Sequence, residues 1–285
     1  MSSNPDKVWT VLSMLEWATD FFEEKGVDNP RLSIEWLLAH ILDIRRLDLY
    51  LKFDRPLSPD ELDRLRPLVK RRAAHEPLQY ITGTTDFLNC TIQVSKEVLI
   101  PRPETEQLVE MVLNRYDSAE ELSVLDIGTG SGCIPVAIKK NRPNWICAGL
   151  DISDDALHVA QSNAELNDVD VSFFKGDLNR LESKGKTQEQ EWDIIISNPP
   201  YITNEEKVEL DPQVLNYEPE LALFHDKPLE VYQHICKFAA SQQAVLYLEC
   251  NDKIAEQIKD VALQFFGKAE LKKDYDQNNR FVVAE

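Results

Sequence analysis

The sequence predicts an α/β protein in which a small helical domain precedes a mostly parallel β-sheet that ends antiparallel. Two observations carry this prediction. From residue 123 onward, short apolar runs suited to buried parallel strands alternate with helix-like segments. Before residue 76, apolar side chains recur only at helical spacing.

The first 75 residues are expected to form a compact bundle of short helices. Apolar side chains recur every three or four residues in the stretches 8–18 and 34–42. Another helix is expected to begin after Ser58, because Ser58 can cap it, Pro59 fits its first turn and Glu61 can complete a capping box. We assign residues 1–75 to this helical domain.

Residues 76–97 are predicted to form a β-hairpin linker. The stretches 80–87 and 91–94 are rich in β-forming residues and are separated by a turn. A rigid, polar segment follows at residues 100–106 and leads into a helix that begins at about Thr105.

Residues 98–285 are predicted to hold the sheet. Five apolar runs are suited to buried parallel strands, at residues 124–127, 146–151, 171–175, 193–197 and 244–249. Helices are expected between most of them, near residues 133–141, 154–167, 229–242 and 251–266. A turn at residues 276–279 should join two last strands, 269–274 and 280–284, and residues 182–191 should form a polar surface loop.

Composition and charge limit the possible partners. The net charge of −19 is uneven: residues 1–75 hold 12 Lys and Arg against 13 Asp and Glu, which leaves 19 against 37 for the rest of the chain. An excess of 18 negative charges disfavours nucleic acid, whose phosphates need clustered cations. The N-terminus carries no secretory signal, and no apolar stretch approaches the length that spans a bilayer.

The cysteines indicate a reducing compartment and no metal site. They are five in number, scattered, and contain no C-x-x-C pair. This pattern argues against a disulfide framework and against zinc, so we expect a cytoplasmic protein without a bound metal.

A glycine-rich loop at residues 126–132 predicts a nucleotide-type site. Asp126-Ile127-Gly128-Thr129-Gly130-Ser131-Gly132 follows a strand and opens a helix, and its glycines let the backbone approach a ligand closely. The dinucleotide fingerprint would need another glycine at Cys133 or at Pro135. The loop therefore fits a cofactor without pyrophosphate better than it fits NAD.

Two carboxylates that follow the next strands extend this site. Asp151 ends a strand about 20 residues after the loop, where a carboxylate can accept hydrogen bonds from both ribose hydroxyls. Asp177 follows the third strand and could accept from an adenine amine or could be a plain loop residue.

Asn198-Pro199-Pro200-Tyr201 is the most specific motif in the chain. It follows a buried strand, the usual place for ligand chemistry in open α/β sheets. The Asn198 side-chain oxygen and the Pro199 carbonyl could accept both hydrogens of a planar NH2 group, while Tyr201 lies against that group. Holding both hydrogens would aim a weakly nucleophilic nitrogen at an electrophilic methyl group, without a general base.

Together these motifs resemble those of class I S-adenosylmethionine-dependent methyltransferases that act on exocyclic or amide nitrogen. More narrowly, the whole chain resembles the release factor glutamine N5-methyltransferases (HemK/PrmC). The resemblance extends to residues 79–83, Ile100-Pro101-Arg102-Pro103-Glu104-Thr105-Glu106 and Tyr217-Glu218-Pro219.

The resemblance implies a seven-stranded Rossmann-like sheet and methylation of the glutamine in the Gly-Gly-Gln loop of class I peptide chain release factors. It implies S-adenosyl-L-methionine as cofactor, S-adenosyl-L-homocysteine as product and substrate recognition by the helical domain, and we expect a monomer. The expected cofactor-binding residues are Asp126, Gly128, Thr129, Gly130, Gly132, Asp151, Asp177 and Asn198. The expected substrate-binding residues are Arg102, Glu104, Asn198, Pro199, Pro200 and Tyr201, of which Asn198, Pro199 and Tyr201 are the expected catalytic set.

The chain departs from the family pattern before and after the fifth parallel strand. Residues 241–243 replace a glycine-rich turn, Glu249-Cys250-Asn251 stands where a glycine is more typical, and the loop at 224–228 is short. Two other functions stay open. The same acceptors could hold the amine of adenine in DNA or RNA, with Tyr201 stacked on the base, or the chain could be a cofactor-binding scaffold that recruits a partner.

Overall fold

A computed structural model describes residues 8–177 and 191–285, which form two compact units. The first unit runs to Gly83 and includes residues 212–217, and the second holds the remaining residues from Thr84 onward. The predicted polar loop at 182–191 lies, except for Glu191, outside the described residues. Within the described ranges, no helix combines the length and the apolar character needed to cross a bilayer.

The first unit is a helical bundle around one apolar core. Its core includes Met14 of the first helix and Leu37 and Leu38 of the second. The predicted capping box is confirmed, because the Ser58 side chain accepts from Glu61 N and Glu61 accepts from Ser58 N. The elements are α1 (Val11–Glu24), α2 (Pro30–Leu42), a 3₁₀ helix (Arg46–Leu51), α3 (Pro59–Ala73), α4 (Leu78–Thr82) and, much later in the chain, α8 (Pro212–Tyr217).

The predicted strand at residues 80–87 is wrong in its first part. Residues 80–82 belong to helix α4, which ends at Gly83 in the left-handed conformation, with φ of 81°. Tyr80 and Ile81 are buried, and Ile81 joins the core of the helical unit. Tertiary burial in that core outweighs the weak β preference of such a short segment.

The hairpin begins only after this helix, in the second unit. Strands β1 (Thr84–Phe87) and β2 (Cys90–Gln93) pair antiparallel. The Asn163 side chain fixes β2, because its Oδ1 accepts from Gln93 N at 2.6 Å and its Nδ2 donates to Gln93 O at 2.9 Å.

The seven-stranded, mostly parallel sheet is confirmed. Its strands are β3 (Ser123–Ile127), β4 (Ile146–Asp151), β5 (Ser172–Lys175), β6 (Ile194–Ser197), β7 (Val245–Glu249), β8 (Ala269–Lys273) and β9 (Asn279–Ala284), in the spatial order β5-β4-β3-β6-β7-β9-β8. Strand β9 is antiparallel to both of its neighbours, as predicted for the end of the chain. The helices of this unit are α5 (Pro103–Arg115), α6 (Cys133–Asn141), α7 (Asp154–Leu166), α9 (Glu220–Leu223), α10 (Pro228–Ser241) and α11 (Ala255–Ala262), with 3₁₀ helices at Asn204–Glu209 and Asp252–Ile254.

Helix α10 ends at the position where the family pattern has glycine. The Gln243 N–H donates to Ala240 O and the Ala244 N–H donates to Ala239 O, both at 3.1 Å, which is a Schellman ending. Gln243 has φ of 56°, a left-handed conformation that suits glycine and strains a residue with a Cβ.

We expect Gln243→Gly to stabilise the protein. Removing the Cβ relieves the strain of the left-handed conformation and raises the free energy of unfolding by about 1–2 kcal/mol. The extra freedom of glycine in the unfolded chain lowers it by about 0.5–1 kcal/mol. The net increase in the free energy of unfolding should be up to about 1.5 kcal/mol, measured by urea denaturation. Gln242→Gly is the matched control, because Gln242 has φ of −88° and glycine there should destabilise. Equal effects of the two changes would contradict the assignment of strain to Gln243.

Candidate functional site

The predicted site residues meet at the carboxyl edge of the parallel strands. Asp151 ends β4, Asp177 follows β5 and Asn198 follows β6. The glycine-rich loop leaves β3, which lies between β4 and β6. A crevice at this edge is the usual ligand site of open α/β sheets, so the topology brings together side chains that are far apart in the sequence.

The glycines of the loop serve two different purposes. Gly128 and Gly130 have φ of 77° and 52°, and a methyl group at either position would meet no heavy atom within 4 Å. Open space beside these two residues is what a closely approaching ligand requires. A Cβ at Gly132 would instead lie 2.9 Å from Ala160 Cβ of α7, so glycine there allows close packing of the loop on that helix.

Thr129 is turned into the protein. Its side chain is 4% exposed, and its N–H donates to Leu150 O at 2.9 Å while its carbonyl accepts from Gly132 N at 2.8 Å. Gly149 of β4 leaves room for its hydroxyl, because a Cβ there would lie 2.6 Å from Thr129 Oγ1. These contacts give Thr129 a part in shaping the loop, and its predicted contact with the cofactor stays a prediction.

Asp151 joins the loop to the end of β4. Its Oδ2 accepts from Gly130 N at 2.8 Å, and its Oδ1 accepts from Ser153 N at 3.0 Å. Each carboxylate oxygen can accept a further hydrogen bond. The side chain is therefore held in place with acceptor capacity left for two hydroxyl groups.

Asp126 is a buried carboxylate without a hydrogen-bond partner. It is fully buried at the end of β3, and neither oxygen has a partner among the described residues. Burial, together with the negative charge of Asp151, raises the pKa of Asp126 to about 7, although the dipole of the nearby Thr129 hydroxyl, which forms no hydrogen bond of good geometry with it, acts in the opposite direction. A buried carboxylate of this kind is satisfied by a cationic or hydrogen-bond-donating ligand group.

We expect Asp126 to make the binding of S-adenosylmethionine depend on pH. The carboxyl group is mostly protonated at pH 6 and half ionised at pH 7, and a cationic amine beside it would favour the ionised form. The dissociation constant of the cofactor should therefore fall about fivefold between pH 6 and pH 7, as measured by calorimetry.

Asp126→Asn should remove this pH dependence. Adenosine, which lacks the amino-acid part of the cofactor, should bind the unchanged protein equally at both pH values. A variant that keeps the full pH dependence would show that another group causes it.

Asn198-Pro199-Pro200-Tyr201 leaves β6 at the centre of this edge. Asn198 is half-buried, and its Nδ2 donates to Thr105 Oγ1 at 3.1 Å. Pro199 is buried, Pro200 is half-buried, and neither has a backbone N–H to donate. Tyr201 is half-buried and packs against the main core, and burial together with nearby Glu249 raises the pKa of its hydroxyl.

Arg102 and Glu104 lie at the start of α5. Arg102 Nη2 donates to Glu218 Oε1 at 2.6 Å, and the Glu218 side chain is almost fully buried. The second oxygen of Glu218 is buried without a partner among the described residues. Glu218 therefore holds Arg102 in a fixed place. This ion pair explains why the Tyr217-Glu218-Pro219 motif contains a glutamate.

Sequence reasoning missed Thr105 and Glu249 as site residues. The sequence places Thr105 in the segment 100–106, at the start of a helix, and Glu249 at the end of a strand and among the departures from the family pattern, without a role for either in the site. The signal was available for Glu249, because it ends the strand beside β6 and so must lie near Asn198. Thr105 and Asn198 are separated by 93 residues, and no local pattern connects them. No group of three or more His, Cys, Asp or Glu side chains suited to a metal ion occurs within the described ranges.

Comparison with known proteins agrees with the geometry. Residues 13–83 match the PrmC N-terminal domain, and residues 104–216 match the methyltransferase small domain. The release factor glutamine methyltransferase of Chlorobaculum tepidum is 37% identical over 285 residues, which cover 96% of this chain and 97% of that protein. The protein of the same name from Geobacter sulfurreducens is 45% identical over 223 residues, which cover 78% of this chain and 76% of that one.

The chain belongs to the release factor glutamine methyltransferase family. The predicted resemblance is thereby confirmed, and the chain is a methyltransferase. The reading as an N6-adenine methyltransferase is not favoured.

Solved structures agree with the fold. The Thermus thermophilus 16S rRNA N2 G1207 methyltransferase, solved with AdoMet and guanosine, superposes with a TM-score of 0.52 at 19% identity and covers 71% of this chain. This chain spans 49% of that longer chain. The catalytic domain of human Mettl16, solved with an RNA hairpin, gives a TM-score of 0.51 at 17% identity over 81% of this chain and 84% of that one. At such identities the likeness concerns the fold alone.

Proposed function

We propose that this chain transfers a methyl group from S-adenosylmethionine to the side-chain amide N5 of the glutamine in the Gly-Gly-Gln motif of class I peptide chain release factors. The observation that carries the proposal is the fixed Asn198 amide next to the Pro199 carbonyl, at the strand edge that also holds Gly130 and Asp151. Two acceptors in this place suit the NH2 group of a glutamine side chain. The names of the curated relatives support the same substrate.

The residues at the strand edge fit the proposed cofactor. Asp151 keeps acceptor capacity for the two ribose hydroxyls, and Gly128 and Gly130 leave open space beside the loop. The unpartnered carboxylate of Asp126 suits the amine of the amino-acid part, and Asp177, which follows β5, would accept from the adenine amine. When bound, S-adenosylmethionine supplies a methyl carbon on a positively charged sulfur and leaves as S-adenosylhomocysteine, and the methylated nitrogen releases one proton to solvent.

The chain itself positions the glutamine nitrogen. Asn198 Oδ1 and the Pro199 carbonyl accept the two amide hydrogens, which fixes the nitrogen and polarises its N–H bonds. The prolines fix this part of the backbone, and Tyr201 packs on the core beneath it. Arg102, held by Glu218, and Glu104 border the entry for the glycine-rich substrate loop.

We also propose that the protein acts as a monomer in the cytoplasm and that the helical unit recognises the release factor. Asp126, Asp151, Asn198 and Tyr201 all belong to one compact unit, so no second copy is needed to complete the site. All five cysteines are free thiols, which suits a reducing compartment. Size-exclusion chromatography with light scattering tests the oligomeric state.

Transfer of a labelled methyl group to a purified release factor tests the function. We expect incorporation into the factor and none into a variant whose Gly-Gly-Gln glutamine is replaced by alanine. Adenine-containing DNA and RNA serve as parallel substrates and should remain unlabelled. Label in nucleic acid but not in the factor would overturn the proposal.

A further inference from the structure

A relay of two hydrogen bonds runs from Glu249 through Thr105 to Asn198. The Thr105 hydroxyl lies 2.7 Å from Glu249 Oε2 and 3.1 Å from Asn198 Nδ2. The three residues come from different elements: the end of β7, the first turn of α5 and the loop after β6. Glu249 is 1% exposed and Thr105 is 3% exposed, so water does not compete for these bonds.

The chemistry of the groups sets the direction of both bonds. An ionised carboxylate only accepts, so the Thr105 hydroxyl must donate its hydrogen to Glu249. The Thr105 oxygen then has only lone pairs left for Asn198, and it accepts from the NH2 side of that amide. The Oδ1 atom of Asn198 is consequently left free to accept from another group.

We propose that Thr105 and Glu249 are positioning residues that hold the Asn198 side chain with its carbonyl oxygen toward the substrate amide. This inference rests on the proposed function, because it explains how Asn198 comes to offer an acceptor. An asparagine amide has nearly the same shape after rotation by 180°, so shape alone does not select the productive orientation. In the rotated form, the NH2 group of Asn198 would face the NH2 group of the substrate glutamine, and the substrate would lose one of its two acceptors.

The strand end around Glu249 is itself fixed. The Tyr232 hydroxyl, on α10, donates to the backbone carbonyl of Glu249 at 2.9 Å. The other groups whose charge or titration bears on Glu249 are Arg102, Glu104, Cys133, Tyr201, Cys250 and Arg280. The two arginines favour the ionised carboxylate, whereas Glu104 opposes it.

Protonation of Glu249 would remove the constraint on Asn198. Burial raises the pKa of Glu249 to about 7, against the opposing influence of the Thr105 hydrogen bond and of Arg280. A protonated carboxyl group can donate to Thr105, and the Thr105 hydrogen is then free to point at Asn198. Below pH 7 the rotated amide therefore becomes accessible, and above pH 7 only the productive orientation satisfies all three groups.

Thr105→Val and Thr105→Ser in the full-length protein form a matched pair that tests the relay. Valine keeps the shape of threonine and lacks the hydroxyl, whereas serine keeps the hydroxyl. We expect kcat for methyl transfer to a release factor to fall about tenfold or more in Thr105→Val, since roughly this factor accompanies the loss of one orienting hydrogen bond. Thr105→Ser should recover most of the activity, and the affinity for S-adenosylmethionine should stay within twofold in both variants. A valine variant with kcat within twofold of the unchanged protein would overturn the inference.

A second measurement is independent of activity and so separates the relay from the proposed function. The side-chain ¹⁵NH2 signals of Asn198, assigned by their loss in Asn198→Asp, should change in Thr105→Val and return in Thr105→Ser. In the unchanged protein these signals should also move with pH, with a midpoint near 7, and Glu249→Gln should abolish this movement. Signals that are insensitive to both Thr105→Val and pH would overturn the relay, whereas lack of transfer to the release factor by the unchanged protein would overturn only the function.

Discussion

Asn198→Ala is expected to abolish methyl transfer while cofactor affinity stays within several-fold. The substitution removes the Oδ1 acceptor at the strand edge and the donor that reaches Thr105. Loss of one oriented polar group at a reacting centre typically lowers kcat by about 100- to 1,000-fold. Single-turnover transfer to a release factor measures the chemical step, and calorimetry with S-adenosylmethionine measures the affinity.

Asn251→Ala is the matched control for this change. Asn251 follows β7, the strand next to β6, and its Oδ1 accepts from Lys253 N at 3.0 Å, away from Thr105. We expect it to cost about 1 kcal/mol of stability through the lost helix cap and to leave transfer intact. If Asn198→Ala instead abolished cofactor binding, the assignment of Asn198 to the substrate nitrogen would be wrong.

Asp151→Ala is expected to weaken cofactor binding while the reacting centre stays intact. The change removes the acceptor for the ribose hydroxyls and the two bonds that tie Gly130 N and Ser153 N together. Hydrogen bonds to a charged group contribute about 1.5–3 kcal/mol, which corresponds to a dissociation constant roughly 10- to 150-fold higher. The rate at saturating cofactor should fall far less than the affinity.

Asp155→Ala serves as the control, because Asp155 is an exposed carboxylate in the first turn of the same helix, α7. Both aspartates contribute to the local negative potential, but only Asp151 touches the loop. Affinity in Asp155→Ala should stay within about twofold, since exposed charges near a helix end contribute only a few tenths of a kcal/mol. Equal losses in the two variants would show that charge alone, and not the position of Asp151, holds the cofactor.

Much of the fold could be predicted because its signals are local. A strand that is buried on both faces reads as an apolar run, such as the three isoleucines at 194–196, and the helix after Ser58 carries its own cap. The error at residues 80–82 arose where the local signal is weak. These residues form one helical turn because Ile81 is buried in the core of the helical unit, which no pattern over a few residues records.

Some residues of the candidate site could be predicted and others could not, because only some of them carry a local signal in the sequence. Asp126, Asp151 and Asn198 could be named because each directly follows or ends a recognisable strand. The sequence could not show that Gly132 and Gly128 have different roles. In the structure, Ala160 of α7 leaves no room for a Cβ at Gly132, whereas the space beside Gly128 is open. The partner of Arg102, Glu218, is 116 residues away, and only folding brings the two together.

The sequence by itself determined the order of strands and helices, the glycine-rich loop and the residue types at the strand ends, because these depend on neighbours along the chain. It also determined the family, since the motifs occur together and in order. Only the tertiary structure decided that Asp126 is buried without a partner, that Asp151 closes the loop on Gly130, and that Thr105 connects Glu249 to Asn198. These properties arise from burial and from contacts over 21 to 144 residues of chain, and such contacts exist only once the sheet has formed.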